Sequence, residues 1–179
     1  MDKTIVSLNE IEQKTVAALI KHGAEKWIAV EVAKAVRLAE ATGNLICGLY
    51  YLESYCLQLL SGRVNGKAIP KVYEPKSGSV LVDAKNGFAQ AAFCKGLPSA
   101  CRAATENGIS IFGVSHAHTC TSLGYFTKQI AESGFIGIGF TNASSVVAPP
   151  GGKKPVLGTN PIAMSVPKKG GGVLFQFDQ

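Results

Sequence analysis

Four pieces of one stretch decide how this chain is read: SHAHTCTSLGYF at residues 115–126, FIGIGFTNAS at 135–144, PPGGKKP at 149–155 and LGTNPIAMSVP at 157–167. Apolar runs end here in polar side chains, glycines and prolines, where a segment concerned only with packing would carry Val, Ile and Leu. The apolar spacing predicts strands at 109–114, 135–141, 162–166 and 173–177, and a helix at 122–133 stopped by Gly134. Strand and helix alternate, so the fold class is α/β with a partly parallel sheet layer, and the polar junctions point to a small-molecule site.

Working back toward the N-terminus, residues 79–83 (SVLVD) form a short apolar strand, and residues 89–105 suit a helix ended by Asn107-Gly108. Residues 64–78 hold Pro70, Pro75 and Gly78 and read as an extended connection between two domains. Before them lie three helical segments. Ser7 to Glu10 is a capping box opening the first, which Gly23 ends. Residues 25–41 form the second, stopped by Gly43-Asn44, and residues 49–60 the third, closed by Ser61-Gly62. The expected division is therefore a helical region with its linker at 1–78 and an incomplete α/β cofactor domain at 79–179. The apolar run at 173–177 reads as the interior strand of a sheet, yet only Asp178 and Gln179 follow it, so the chain is expected to be a fragment or a prematurely ended product.

Composition narrows the partners. With 179 residues, 46% of them hydrophobic, the chain can bury a core, and 20 glycines fit an α/β enzyme rich in tight turns. The formal charge of +6 is spread out, with no basic stripe interleaved with aromatics. An anionic small molecule, not nucleic acid, is the expected partner. Five cysteines, an odd number without a C-x-x-C pair or a secretory leader, predict reduced thiols in the cytoplasm. No run of about 18 apolar residues predicts a membrane span.

Chemistry concentrates at three places. The strand-to-helix junction His116-Ala-His118-Thr119-Cys120-Thr121-Ser122-Leu123 sets hydroxyl residues at a helix start, where free N–H groups and the helix dipole hold phosphate oxygens; alternatively they only cap the helix. His116, His118 and Cys120 form an H-x-H-x-C pattern, but no fourth residue is spaced to complete a zinc site, and no metal is expected. The loop at 144–161 holds Thr159 and Asn160. Asn160 precedes Pro161 and is expected to be extended, displaying its amide and the Thr159 hydroxyl to a carboxylate or an amide. Cys47, in NLICGL between two predicted helices, is either inert packing or a reactive thiol. Neither G-x-G-x-x-G, G-x-x-x-x-G-K-[ST] nor G-x-S-x-G is present, so ordinary Rossmann, P-loop and α/β-hydrolase sites are not expected.

Taken in order, SHAHTCTSLGYF, GFIGIGFTNAS, PPGGKKPVLGTNPIA and FDQ resemble the malate/L-lactate dehydrogenase family, which binds NAD(P)H without a Rossmann fold, and within it the branch that reduces Δ1-pyrroline-2-carboxylate or Δ1-piperideine-2-carboxylate. The resemblance implies the family's mixed-sheet cofactor domain, NADPH or NADH as cofactor, an imino acid substrate and a homodimer. It implies cofactor contacts at Thr119, Cys120, Thr121, Ser122 and Leu123 and again at Phe177, Asp178 and Gln179, and a substrate contact at Thr159 with Asn160 beside it. Two positions depart from the pattern: the family's acid histidine aligns with Cys47 and its substrate-binding arginine with Tyr51. Cys47 or His118 is accordingly expected to supply the proton, and a 2-hydroxy acid dehydrogenase or a non-catalytic remnant is the alternative.

Overall fold

The computed structural model describes residues 5–118 and 121–178. It divides into two compact units, residues 1–121 and 122–179. The boundary expected after residue 78 falls instead inside a hairpin. Residues 71–76, expected to be linker, form a strand, because their backbone pairs with the apolar strand that follows across the turn at Ser77-Gly78. An edge position tolerates Pro75, which has no N–H to give to a ladder.

The first unit opens with α1 (Leu8–Lys21) and α2 (Lys26–Ala41). The Ser7 hydroxyl accepts the Glu10 N–H at 3.1 Å, as a helix cap should. Gly23 and Gly43 adopt φ of 102° and 77° just past the two helix ends, a conformation that costs glycine nothing. Two 3-10 turns, Leu45–Cys47 and Leu49–Tyr51, then replace the start of the single helix expected at 49–60, and α3 is only Leu52–Leu60. The turns exist because Glu40 reaches from α2 to accept the Leu49 N–H at 2.7 Å. Any side chain on Gly48 would strike that carboxylate. Ile28, Val32 and Val36 of α2 pack with Leu19, Tyr55 and Leu59 and with Phe88 and Ala91, so the helical layer shares one core with the start of the helix that crosses the sheet.

The sheet of this unit runs in the order β1 (Lys71–Lys76), β2 (Ser79–Asp83), β3 (Ile111–Ser115), antiparallel then parallel. Helix α4 (Ala89–Asn107) makes the crossover from β2 to β3. It covers the face formed by Val72, Val80, Val82, Phe112 and Val114. Gly96 permits the approach: a Cβ there would lie 2.5 Å from Val82 and 2.6 Å from the Phe112 ring.

In the second unit α5 (Gly124–Glu132) packs on an antiparallel sheet of β4 (Gly137–Phe140), β5 (Ile162–Pro167) and β6 (Val173–Asp178), with β5 in the middle. The fold is thus α/β, but its strands form two three-stranded sheets, only one with a parallel pair. Among the described residues β6 pairs with β5, and Leu174, Phe175 and Phe177 are exposed. Under α5, the Thr127 and Ser165 hydroxyls bond each other at 2.9 Å, both fully buried. No helix among the described residues is long and apolar enough to cross a membrane.

Candidate active site

Ligands of α/β sheets bind beyond the carboxyl ends of parallel strands, and in the first unit the β2–β3 pair ends at Asp83 opposite Ser115. The backbone stays paired past both strands. Ala84 N–H donates to the Ser115 carbonyl at 2.9 Å, Asn86 N–H to that of His116 at 2.8 Å, and His118 N–H to that of Gly87 at 2.8 Å. To stay in step the two segments turn through left-handed residues: Lys85 at φ 54°, Asn86 at 59° and His116 at 49°. None is glycine, and such residues cost on the order of 1 kcal/mol each, persisting where the surroundings impose them. His116 and His118 therefore do not share one side of a continued strand, since β3 ends at Ser115.

Asp83 organises this end. It accepts the Lys85 backbone N–H at 2.9 Å, the Lys85 ammonium at 2.8 Å and His116 Nδ1 at 3.1 Å. The Lys85 ammonium first, then its N–H, with His116 adding less, hold the Asp83 carboxyl well below the ordinary carboxylate range. The same pairing raises Lys85. His116 leaves 67% of its side chain exposed while Asp83 is largely covered.

His118 has the opposite surroundings. Its ring meets Phe88 edge-on at 6.1 Å; Phe88 meets Tyr55 at 5.7 Å, Tyr55 stacks on Tyr51 at 6.1 Å, and Tyr51 meets Tyr50 at 5.7 Å. Burial, and secondarily the charge of Arg63, lower the His118 pKa, so its neutral form is favoured. The aromatic run carries the first unit from the His118 strand end to Tyr51, next to the 3-10 turn that bears Cys47. Cys47 is half-buried on that turn, its N–H donating to the Asn44 carbonyl at 3.0 Å.

In the second unit α5 starts at Gly124, two residues later than expected, with Leu123 as its first flanking residue and no side-chain cap. Ser122 is not a cap: its hydroxyl donates to Asp178 Oδ2 at 2.6 Å. A Cβ on Gly124 would lie 2.8 Å from that same oxygen and would strike Gln176, so β6 closes on the helix start through glycine. The Leu123 side chain is buried and its carbonyl accepts the Phe126 N–H at 3.1 Å, and Thr121 lies at φ 56°. Thr119, Cys120 and Gln179 lie outside the described residues. Phe177 and Asp178, adjacent on β6, face opposite sides of the sheet.

Asn160 is not extended. It sits at φ 43°, and its side-chain oxygen accepts the Ala143 N–H at 2.9 Å, leaving the amide NH2 as its group for a ligand. Asparagine visits the left-handed region more easily than other residues, and here the bond to Ala143 overrides the preference imposed by the following proline. Gly158 makes room, because a Cβ there would meet Asn160 Oδ1 at 2.7 Å and strike the Ala143 carbonyl. Nor is the 144–161 loop structureless. Val147 and Leu157 form an antiparallel bridge, and Gly152 N–H closes a turn onto the Pro149 carbonyl at 2.8 Å.

Asp83, Lys85, Asn86 and Glu40, whose contacts shape these turns, do not stand out in the sequence as candidates. DAKNG directly after an apolar strand and before a helix was the available signal for the first three, since Asn-Gly marks a turn. Nothing in the sequence distinguishes Glu40 from the other charges of α2.

A mixed α/β chain of this order, with chemistry at a strand end, an aromatic wall and a carboxylate at a helix start, has the outline of a small-molecule enzyme. Comparison places it: residues 6–179 match the family described as malate/L-lactate dehydrogenase, and the chain belongs to that family. It is 37% identical over 167 residues to a (2R)-3-sulfolactate dehydrogenase (NADP(+)) of Chromohalobacter salexigens, covering 93% of this chain and 50% of that protein. It is 32% identical over 178 residues to Delta(1)-pyrroline-2-carboxylate reductase 2 of Burkholderia multivorans, covering 99% and 52%. The crystal structure of delta1-piperideine-2-carboxylate reductase from Pseudomonas syringae superposes with a TM-score of 0.90 at 30% identity, covering 98% of this chain and 53% of that one. The chain spans about half the length of the curated relatives it matches.

Proposed function

We propose that this chain carries the N-terminal part of the working site of an NAD(P)H-dependent reductase of cyclic imino acids, converting Δ1-pyrroline-2-carboxylate or Δ1-piperideine-2-carboxylate to proline or pipecolate. The observation that carries the reading is the aromatic run Tyr50, Tyr51, Tyr55, Phe88 and His118. Tyr55 and Phe88 are buried in the core, and the more exposed Tyr50, Tyr51 and His118 at the ends of the run are the faces offered to a flat five- or six-membered ring. Tyr51 occupies the position where an oxo acid would call for a guanidinium, and a tyrosine cannot neutralise a carboxylate as arginine does.

The residues present fit a nicotinamide dinucleotide in the chemistry of their donors. The first turn of α5 presents backbone N–H groups without a side-chain cap, suited to phosphate oxygens. Thr121 and Ser122 add hydroxyls beside it, and Thr119 to Leu123 together are the proposed phosphate segment. Phe177, Asp178 and Gln179 are the second proposed contact, and the Asp178 carboxylate suits a ribose hydroxyl better than a phosphate. When bound, the cofactor supplies hydride to the C=N carbon. Thr159 and the Asn160 amide are proposed to hold the substrate carboxylate, while Cys47 and His118, at the two ends of the aromatic run, are the sequence-derived candidates for proton donor.

A second reading, oxidation of a 2-hydroxy acid, is favoured by the 37% identity to a sulfolactate dehydrogenase. Turnover decides between them. The purified chain is given the cyclic imines with NADPH or NADH, and separately malate, lactate and 3-sulfolactate with NADP or NAD. Imine reduction is expected, and activity on the hydroxy acids alone would reject the proposal.

A further inference from the structure

Resting on that imine-reductase reading, we propose that His116, oriented by Asp83, is the proton donor of the reaction, in place of Cys47 and His118. The geometry separates the three candidates. His118 is half-buried against Phe88 and close to the charge of Arg63, surroundings that disfavour an imidazolium. Cys47 bears a thiol, whose ordinary pKa of about 8.5 makes it a weaker acid than an imidazolium at about 6.5. His116 has a carboxylate on one ring nitrogen and an open flank on the other: Nδ1 lies 3.1 Å from Asp83 Oδ1, and the side chain is 67% exposed.

This arrangement is imposed by the backbone. His116 is left-handed at φ 49°, and its carbonyl is tied to Asn86, itself left-handed at 59°. Two interlocked turns, neither using glycine at these positions, set the imidazole beside Asp83 at the carboxyl ends of the parallel pair, where a ligand of this architecture docks. Asp83 is fixed in turn by the Lys85 ammonium and N–H. A carboxylate on Nδ1–H selects the tautomer and orients the ring, leaving Nε2 to reach the substrate. The charged and titratable groups facing this point in the first unit are Asp83 on β2, Lys85 after it, and Lys71 and Tyr73 on β1, with the Lys71 ammonium over the Tyr73 ring at 4.9 Å.

The step balances. A bound reduced nicotinamide would supply hydride, with its electron pair, to the imine carbon as the C=N π bond breaks, and would itself be oxidised. His116 Nε2 gives its proton to the imine nitrogen and becomes neutral imidazole, and solvent restores the imidazolium before the next turnover.

Histidine-selective NMR and kinetics on the purified chain test it together. Asparagine tolerates a left-handed backbone, so His116→Asn keeps the turn, and His22→Gln serves as control because His22 Nδ1–H donates to the Ala18 carbonyl at 2.7 Å, at the end of α1. Pyrrole-2-carboxylate, a flat ring carboxylate, is the probe. The His116 ring signals are expected to move saturably with it and the His22 signals to stay. His116→Asn is expected to lower kcat about 100-fold or more with KM within about threefold, the range of lost acid catalysis. Asp83→Asn is expected to mix the His116 tautomers in the NMR spectrum and to lower kcat with little change in KM. Imine turnover undiminished in His116→Asn, or a His116 signal indifferent to the probe in a chain that reduces the imine, overturns the inference and leaves the function standing. Hydroxy acid turnover without imine turnover overturns both.

Discussion

Ser122 and Asp178 are 56 positions apart in sequence, yet the serine hydroxyl donates to the aspartate carboxylate at 2.6 Å, fastening the approach to α5 to the end of β6. Both were expected to be cofactor contacts, and they arrive as partners of each other. A carboxylate near a helix start is favoured by the dipole even without ligand. Ser122→Ala should therefore leave the sheet intact, lower stability by no more than about 1 kcal/mol as an exposed hydrogen bond does, and weaken binding in an NADPH fluorescence titration. Asp178→Asn is expected to favour NADPH over NADH relative to the parent chain, because it removes a charge that repels a phosphate. An unchanged NADPH/NADH affinity ratio in Asp178→Asn would count against the ribose role of Asp178.

Gly96 marks the close packing of α4 on the sheet of the first unit. A methyl there meets Val82 and the Phe112 ring at contact distances that side chains do not tolerate. Gly96→Ala removes backbone freedom from the middle of α4, which by itself favours a helix, but it forces α4 off the sheet. Overpacking of this kind costs about 1–3 kcal/mol, and the expected net result is a lower urea midpoint with an unchanged slope. A stabilised variant would show that the sheet yields.

These two sites show what the amino-acid order reveals and what it hides. The helices of the first unit were legible because Ile28, Val32 and Val36 repeat at helical spacing and Gly23, Gly43 and Gly62 punctuate them. Strand β1 was not, because Lys71, Tyr73, Glu74, Pro75 and Lys76 are exposed at an edge and show no apolar alternation; pairing with β2 defines it. The two-sheet division was hidden for the same reason, since strand partners follow from tertiary contacts. At the site, hydroxyls and glycines announced a junction, but the Asp83–His116 pair joins residues 33 apart, and the left-handed turns that bring them together sit on Lys, Asn and His, which nothing local demands.

The hydroxyl pair inside the second unit gives a prediction with two arms. Thr127 and Ser165 are both buried and bond each other at 2.9 Å between α5 and β5. Thr127→Val keeps the shape but takes one partner away, and a stranded buried hydroxyl costs about 1–3 kcal/mol. Adding Ser165→Ala removes the stranded group. The double variant is expected to recover part of the loss, so that the two substitutions combine to less than their sum in chemical denaturation. Strict additivity would mean the hydroxyls act independently.

His118 fixes the sign of a pH effect. Its pKa is lowered in the folded chain, by burial first and by the charge of Arg63 second, from the ordinary 6.5 that the unfolded chain retains. Between the folded value and 6.5 the unfolded chain binds more protons, so the His118 contribution makes stability rise with pH in that window. Above 6.5 both states are neutral at this ring and the contribution is flat; as pH falls through the folded value the stability is lost. Arg63→Met removes the smaller cause alone. The His118 midpoint followed by NMR should therefore climb in that variant yet stay under 6.5, and the acid-side loss of stability should shrink without disappearing. A midpoint above 6.5 in the parent chain would reverse the sign, because a ring that gains protons on folding stabilises at low pH.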